Sequence, residues 1–299
     1  MKTDLLHKTI FTYWHQGFDA APPVVKACAR NLIQLHPGWE IHLLDQGSAP
    51  AWLDPIRIPD HRWQQLSLAH RSDLIRTQLL IKHGGVWADP TVWFTRPLDN
   101  WLPDQMPAGL FLYRYPGRDR AISNWFIAAE TGNRLLMRLY DKLCKYWAEN
   151  QFENFDRPMG STAHFIHRIL SRNTELPRLW LNPLVIRLFR TFPYMIYHYA
   201  FYDLVRTDAE CRAIWDRMPA VPADGPVGLL RHGLNERFDD VAKCLLLGPD
   251  RAPLYKLTWK GIPQRPDEDT VLGFLVQFAQ NEDNQFPLMP QAAVDQSIH

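Results

Sequence analysis

Two adjacent glycines, Gly84 and Gly85, separate a long helix-forming run from a short apolar one, and this punctuation constrains the chain more than any other feature. Ser67 to His83 reads as a helix, with Leu68, Ile75, Leu79 and Leu80 at helical spacing. Glycine stops such a helix because it takes a positive φ that residues bearing a Cβ avoid. Val86-Trp87-Ala88 then reads as a buried strand whose end delivers Asp89. A helix, a tight stop and a strand ending in a carboxylate belong to α/β proteins, where ligands gather outside the carboxyl ends of strands.

The flanking sequence continues that pattern. Thr9 to Trp14 is β-branched and aromatic and reads as a strand. Pro22-Pro23 opens a helix through about Leu35, and His36-Pro37-Gly38 closes it. Trp39 to Leu44 is a second strand. Downstream, Gly109 to Tyr113 and Ser123 to Ala129 read as strands, and Asn133 to Glu149 as an amphipathic helix. The rest, from about Gln151, is helical, aromatic and loop-rich, with its last dozen residues expected to fray. The reading is an α/β nucleotide-binding core over 1–150 and a helical, loop-rich elaboration over 151–299, packed as one unit.

At 299 residues and 46% hydrophobic, the chain can bury a sizeable core. A formal net charge of +1 removes any global argument for nucleic acid. Cys28, Cys144, Cys211 and Cys244 are far apart, which argues for reduced buried thiols rather than a zinc site or a disulfide framework. Met1 to Lys8 lacks the basic start and long apolar run of a signal peptide, so a cytoplasmic location is expected. Leu184 to Val205 is the most apolar stretch, broken by Arg187, Arg190, Pro193, His198 and Asp203. It reads either as a buried core helix pair or as an interfacial surface for peripheral membrane association.

Chemistry concentrates in Ala69 to Asp99. On a helix, Asp73, Arg76 and Thr77 share a face, offering a carboxylate, a guanidinium and a hydroxyl to the hydroxyls of a sugar. The same Asp and Arg also read as a solvated i,i+3 salt bridge. Asp89-Pro90-Thr91 supplies one carboxylate and one hydroxyl for a divalent cation that would neutralise a diphosphate leaving group. Lys256, Thr258, Trp259 and Lys260 bring ammonium, hydroxyl and indole donors that suit phosphate oxygens, or else form a surface strand. His198 reads as catalytic or as a core histidine; Asp99, Asp203, Asp208 and His232 carry no local signal.

The joint pattern of S-D-x-x-R, Gly-Gly, apolar strand, D-x-T and P-L-D resembles the DXD-motif sugar transferases of glycosyltransferase family 32, especially their capsular polysaccharide synthesis branch. The resemblance covers roughly half the chain, and its specific part is Ala69 to Leu98. It implies a GT-A-like fold, a Rossmann-like mixed sheet flanked by helices, that binds a nucleotide-diphosphate sugar (UDP- or GDP-sugar) and transfers the sugar, generally with retention, to a glycan or lipid-linked glycan acceptor. By the same resemblance Asp73 and Arg76 bind the donor sugar, Trp14 packs on the nucleotide base, and Asn124 lies near the acceptor side. Thr258 and Trp259 belong to a loop that closes on the diphosphate, and Asp89 with Thr91 holds Mn2+ or Mg2+. Trp14 reads equally as a core aromatic. One departure stands out: the family commonly has a second carboxylate where this chain has Thr91, a weaker ligand for a hard cation. A non-catalytic nucleotide- or sugar-binding protein on the same scaffold is the alternative. A methyltransferase-like Rossmann enzyme is disfavoured, because no G-x-G-x-x-G follows the first strand.

Overall fold

The computed structural model describes residues 6–155 and 159–281. The extreme C-terminus, expected to fray, lies outside them. Strand β1 (Thr9–Tyr13) leads through α1 (Pro23–Leu35) to β2 (Glu40–Leu44), and then α2 (Asp60–Gln65) and α3 (Leu68–His83) lead to β3 (Gly85–Ala88) and β4 (Val92–Phe94). The hairpin β5 (Leu110–Gly117) and β6 (Arg120–Ala129) precedes α4 (Arg134–Glu149). The remainder contributes α5 (Ser161–Leu170), α6 (Pro183–Phe189), α7 (Ile196–Thr207), α8 (Ala209–Arg217), α9 (Gly228–His232), α10 (Asp240–Leu247), β7 (Leu254–Lys256) and α11 (Val271–Gln280).

The main sheet has the order β2-β1-β3-β6-β5, with β1 parallel to both β2 and β3, and β6 antiparallel to β3 and β5. This is the mixed α/β architecture expected from the sequence. Side chains alternate faces along each strand. Phe11, Trp87, Leu110, Leu112 and Ile127 pack on one side against α3, α4 and α7, whereas Ile10, Val86, Phe111 and Phe126 pack on the other. Both faces are covered, so these strands read as continuous apolar runs in the sequence.

Each boundary has a local cause. Ser67 caps α3 by accepting from the His70 amide, and Asn133 caps α4 through Leu136. Gly84 ends α3 at φ 67° and ψ −159°, a region that only glycine occupies freely. Gly85 follows at φ 85°, and a Cβ there would stand 2.4 Å from the Thr9 carbonyl oxygen. The two glycines thus let β3 lie close beside β1.

The segment beyond 150 packs on the core through α7 on α4 and β6, α8 on α4, α11 on α1, and β7 as the antiparallel partner of β4. Leu184 to Val205 divides into two unlike halves rather than forming a buried pair. Helix α7 is core, whereas α6 leaves Leu184 77% and Leu188 74% exposed, with Tyr194 61% exposed in the connection. No helix among the described residues is long and apolar enough to cross a membrane. Cys28, Cys144 and Cys211 are buried thiols as expected, but Cys244 is exposed on α10, whose outer face it occupies.

Candidate active site

Helix α3 differs from an ordinary amphipathic helix in that its polar residues are buried along with its apolar ones. His70, Asp73, Arg76, Thr77 and Gln78 are buried, while Leu68, expected in the core, lies exposed in the first turn. Burying so many polar groups costs free energy unless each finds a partner. The partners define the site. Asp73 Oδ1 accepts the Asn124 amide at 2.8 Å and lies 3.5 Å from Arg76 Nη2. Arg76 Nη1 donates to the Asn124 carbonyl at 2.5 Å, its other nitrogens bond the Ser72 carbonyl and hydroxyl, and its guanidinium stacks over Trp87. The i,i+3 pair is therefore buried, not a solvated surface bridge.

Asp89 emerges from β3 at the carboxyl edge shared with β1. One of its oxygens accepts the Trp87 indole at 2.9 Å and lies 3.6 Å from Arg76 Nη2; the other accepts the Lys256 ammonium at 2.9 Å. Lys256 donates in addition to the Thr91 hydroxyl at 2.6 Å. The register of the small sheet brings these residues together, since Val92 pairs with Lys256 and the Leu257 amide bonds the Thr91 carbonyl at 2.8 Å. Two carboxylates and two cations form one chain, Asp73–Arg76–Asp89–Lys256.

Burial acts differently on the two acids. Desolvation pushes Asp73 up to about 7, with Arg76 and the Asn124 amide opposing it. Desolvation would also raise Asp89, but the adjacent Lys256 and Arg76 charges hold it below the ordinary carboxylate value. Arg76 is raised, because Asp89 and Asp73 outweigh its own burial.

The remaining candidates divide. Trp14, one residue beyond β1, meets Trp259 edge-on at 5.6 Å between ring centroids, and Trp259 is 46% exposed. This aromatic pair stands at the same sheet edge as Asp89. The Thr258 hydroxyl accepts the Lys260 amide, and Lys260 is exposed. Thr77 corrects the expectation of a hydroxyl presented to a sugar. It is fully buried, donating to the Asp73 carbonyl at 2.6 Å and contacting Tyr197 Oη at 3.4 Å, so it braces the helix instead.

His198 is a buried core imidazole, held by desolvation at about 3. Asp99 ties Trp39 and Lys8, Asp203 pairs with Lys142, Asp208 caps α8, and His232 meets Asp239. Trp87 and Ser72, which bond Asp89 and Arg76, are site residues to which the sequence alone assigns no role. Their positions beside those residues in the strand and helix were the available signal.

The donor set at Asp89 and Thr91 does not fit a divalent cation. Such an ion takes about six oxygens, and at a phosphate site the protein supplies one or two carboxylates beside water and phosphate. Here both Asp89 oxygens already accept N–H donors, the second ligand is a neutral hydroxyl, and an ammonium bonds both. Among the described residues no three His, Cys, Asp or Glu side chains gather as a metal site.

Residues 2–156 match the family of capsular polysaccharide synthesis proteins, and the chain belongs to that family. The match contains Asp73, Arg76, Asp89, Thr91 and Asn124 and stops short of Lys256. The chain is similar to the O-glycosyltransferase braB of Annulohypoxylon truncatum, 30% identical over 47% of this chain and 38% of that one. It is 29% identical to the O-glycosyltransferase PaGT of Phomopsis amygdali, over 56% and 47% respectively. It is 29% identical to the glycosyltransferase afumC of Aspergillus fumigatus, over 49% and 40%. The chain thus spans less than half the length of these curated relatives. The solved structure of the PaToxG glycosyltransferase aligns over 70% of this chain and 74% of its own, with a TM-score of 0.40 and 13% identity.

Proposed function

We propose that this protein is a glycosyltransferase that moves a sugar from a UDP- or GDP-sugar to a glycan or lipid-linked glycan acceptor in capsule or surface polysaccharide synthesis. The observation that carries this reading is the buried chain Asp73–Arg76–Asp89–Lys256 at the carboxyl edge of β1 and β3. A nucleotide sugar has three chemically distinct parts, and this edge offers a partner for each. The Trp14–Trp259 pair suits the base, the Lys256 ammonium with Arg76 alongside suits the diphosphate, and Asp73, Arg76 and Asn124 suit sugar hydroxyls.

The names of the relatives and the membership of the capsular family support transfer over mere binding. Retention, like the GT-A comparison, rests on the resemblance to glycosyltransferase family 32. In that course the bond from the anomeric carbon to the diphosphate breaks, the acceptor oxygen attacks from the same face, and its proton passes to the departing phosphate oxygen. Preorganised positive charge at the leaving group is the main contribution of the protein.

The reading also includes a cytoplasmic enzyme held peripherally at the membrane, supported by exposed Leu184, Leu188 and Tyr194 beside Arg187 and Arg190. Co-sedimentation with anionic vesicles should be lost in a Leu184→Asp, Leu188→Asp variant.

The deciding experiment for the main reading is a thermal-shift screen of nucleoside diphosphates and nucleotide sugars, followed by an assay of nucleotide release. A donor that stabilises the protein and is slowly hydrolysed supports a transferase. Stabilisation without turnover under any acceptor would favour the non-catalytic alternative, and no stabilisation by any nucleotide would remove the donor site altogether.

A further inference from the structure

Sequence logic sets a divalent cation at Asp89-Pro90-Thr91, and the structure puts a lysine there. Lys256 Nζ lies 2.9 Å from Asp89 Oδ2 and 2.6 Å from Thr91 Oγ1, between the two side chains that the D-x-D pattern would use as ligands. It is placed firmly: its amide bonds the Pro226 carbonyl at 2.8 Å, and it pairs with Val92 in the β4–β7 sheet.

The charges account for the exchange. A D-x-D pair with a divalent cation sums to zero; Asp89, Thr91 and one ammonium also sum to zero. Thr91 is only 2% exposed. A carboxylate there would be buried with one ammonium shared between two acids, a costly arrangement. A hydroxyl accepts the ammonium hydrogen bond without adding charge. A hydroxyl at position 91 and an ammonium from Lys256 therefore suit each other, although 165 residues separate them.

We propose that Lys256 occupies the functional place of the divalent cation, so that this protein binds the diphosphate of its donor without metal. The proposal rests on the donor-site reading above and deepens it. An ammonium has three N–H donors, of which Asp89 and Thr91 engage two; the third serves a phosphate oxygen, with Arg76 alongside. Lys256 lies outside the matched residues 2–156, so the charge comes from the segment beyond them.

The test measures binding of UDP and GDP to the full chain by calorimetry in EDTA and in Mn2+, together with binding of Mn2+ alone by electron paramagnetic resonance. Wild type should bind its nucleoside diphosphate equally well, within about twofold, in both buffers and leave Mn2+ free. Lys256→Ala should bind it at least about tenfold more weakly in EDTA, the loss expected with a charge-assisted hydrogen bond. The double variant Thr91→Asp, Lys256→Ala should bind Mn2+ and become dependent on it for nucleotide. Wild-type binding that EDTA abolishes and Mn2+ restores would overturn the proposal, and this comparison stands even where a variant fails to fold. Metal-free binding that Lys256→Ala leaves unchanged would overturn it too, while leaving the donor site in place. Failure of wild type to bind any nucleotide in either buffer would remove the donor site and the proposal with it.

Discussion

The ion pair between Asp89 and Lys256 should be an energetic unit of the apo protein, and its strength can be worked out before any ligand is known. The two charges lie 2.9 Å apart with about a fifth of each side chain exposed, at 20% and 21%. With an effective dielectric constant of about 20 the bare attraction is about 6 kcal/mol. Desolvation of both ions offsets the larger part of this, and the exposed fraction screens more, leaving a coupling of about 1.5–3 kcal/mol. Asp89→Asn alone should cost about 3 kcal/mol, because it leaves Lys256 with the Thr91 hydroxyl and Arg76 with Asp73, and turns an amide N–H toward one of these donors. Lys256→Met alone should cost less, since Arg76 still partners Asp89. In the double variant the second substitution should recover the coupling. The assay is a double-mutant cycle from urea melts, with coincident circular dichroism and tryptophan fluorescence transitions as the check on two-state behaviour. A coupling below about 0.5 kcal/mol would show the pair to be an ordinary surface bridge and would refute the reasoning.

Three further outcomes follow from the same geometry. Gly85→Ala should lose several kcal/mol, on the order of 3 or more, because its Cβ would meet the Thr9 carbonyl at 2.4 Å in a positive-φ backbone; a melting temperature within a degree or two of wild type would argue against the close β1–β3 approach. Arg76→Lys should keep the charge but lose the three-way bonding to Asn124 and Ser72, reducing discrimination among donor sugars by about tenfold; unchanged discrimination in a competition assay would remove Arg76 from sugar recognition. Burial holds the His36 imidazole down at about 4, against 6.5 when free, so its contribution is complete above pH 6.5 and lost as pH falls toward 4. Asp73, raised to about 7, runs the other way, contributing stability at low pH that is lost as pH rises through 7. The histidine is therefore isolated as a difference: the advantage of His36→Gln over wild type should grow by about 3 kcal/mol from pH 7 to pH 4, and a pH-independent difference would refute it.

The parts of the fold that could be read in advance were those with local causes. Strand β1 and helices α1, α3 and α4 fall within about a residue of their expected limits, because Pro22-Pro23, Gly84-Gly85 and the Ser67 and Asn133 caps act within a turn of the residues they govern. What escaped had distant causes. Thr77 lies in the core rather than toward a ligand because α3 packs against β1, β3, β6 and α4, and its buried polar residues leave no polar-to-apolar contrast to show which way each side chain faces. Leu184 and Leu188 read from composition either as core or as an interfacial surface, and only their place on a seven-residue surface helix separates the two.

The same distinction applies to the site, where Lys256 reads as a phosphate-binding candidate from its own segment but its convergence on Asp89 does not. Asp73, Arg76 and Asp89 come from one helix–turn–strand unit, so helical spacing and two glycines suffice to predict that they converge. Lys256 joins them through a pair of three-residue strands, β4 and β7, far too short to announce a pairing across such a span of sequence. Yet the mark of its arrival was present at Thr91. Against the D-x-D pattern that the chain resembles, a buried hydroxyl at 91 carries one negative charge fewer, and under the proposal above a cation of one charge rather than two restores the balance. A departure from a charged motif is thus informative about what balances the missing charge, and at this site the proposed replacement is Lys256, which already bonds both Asp89 and Thr91.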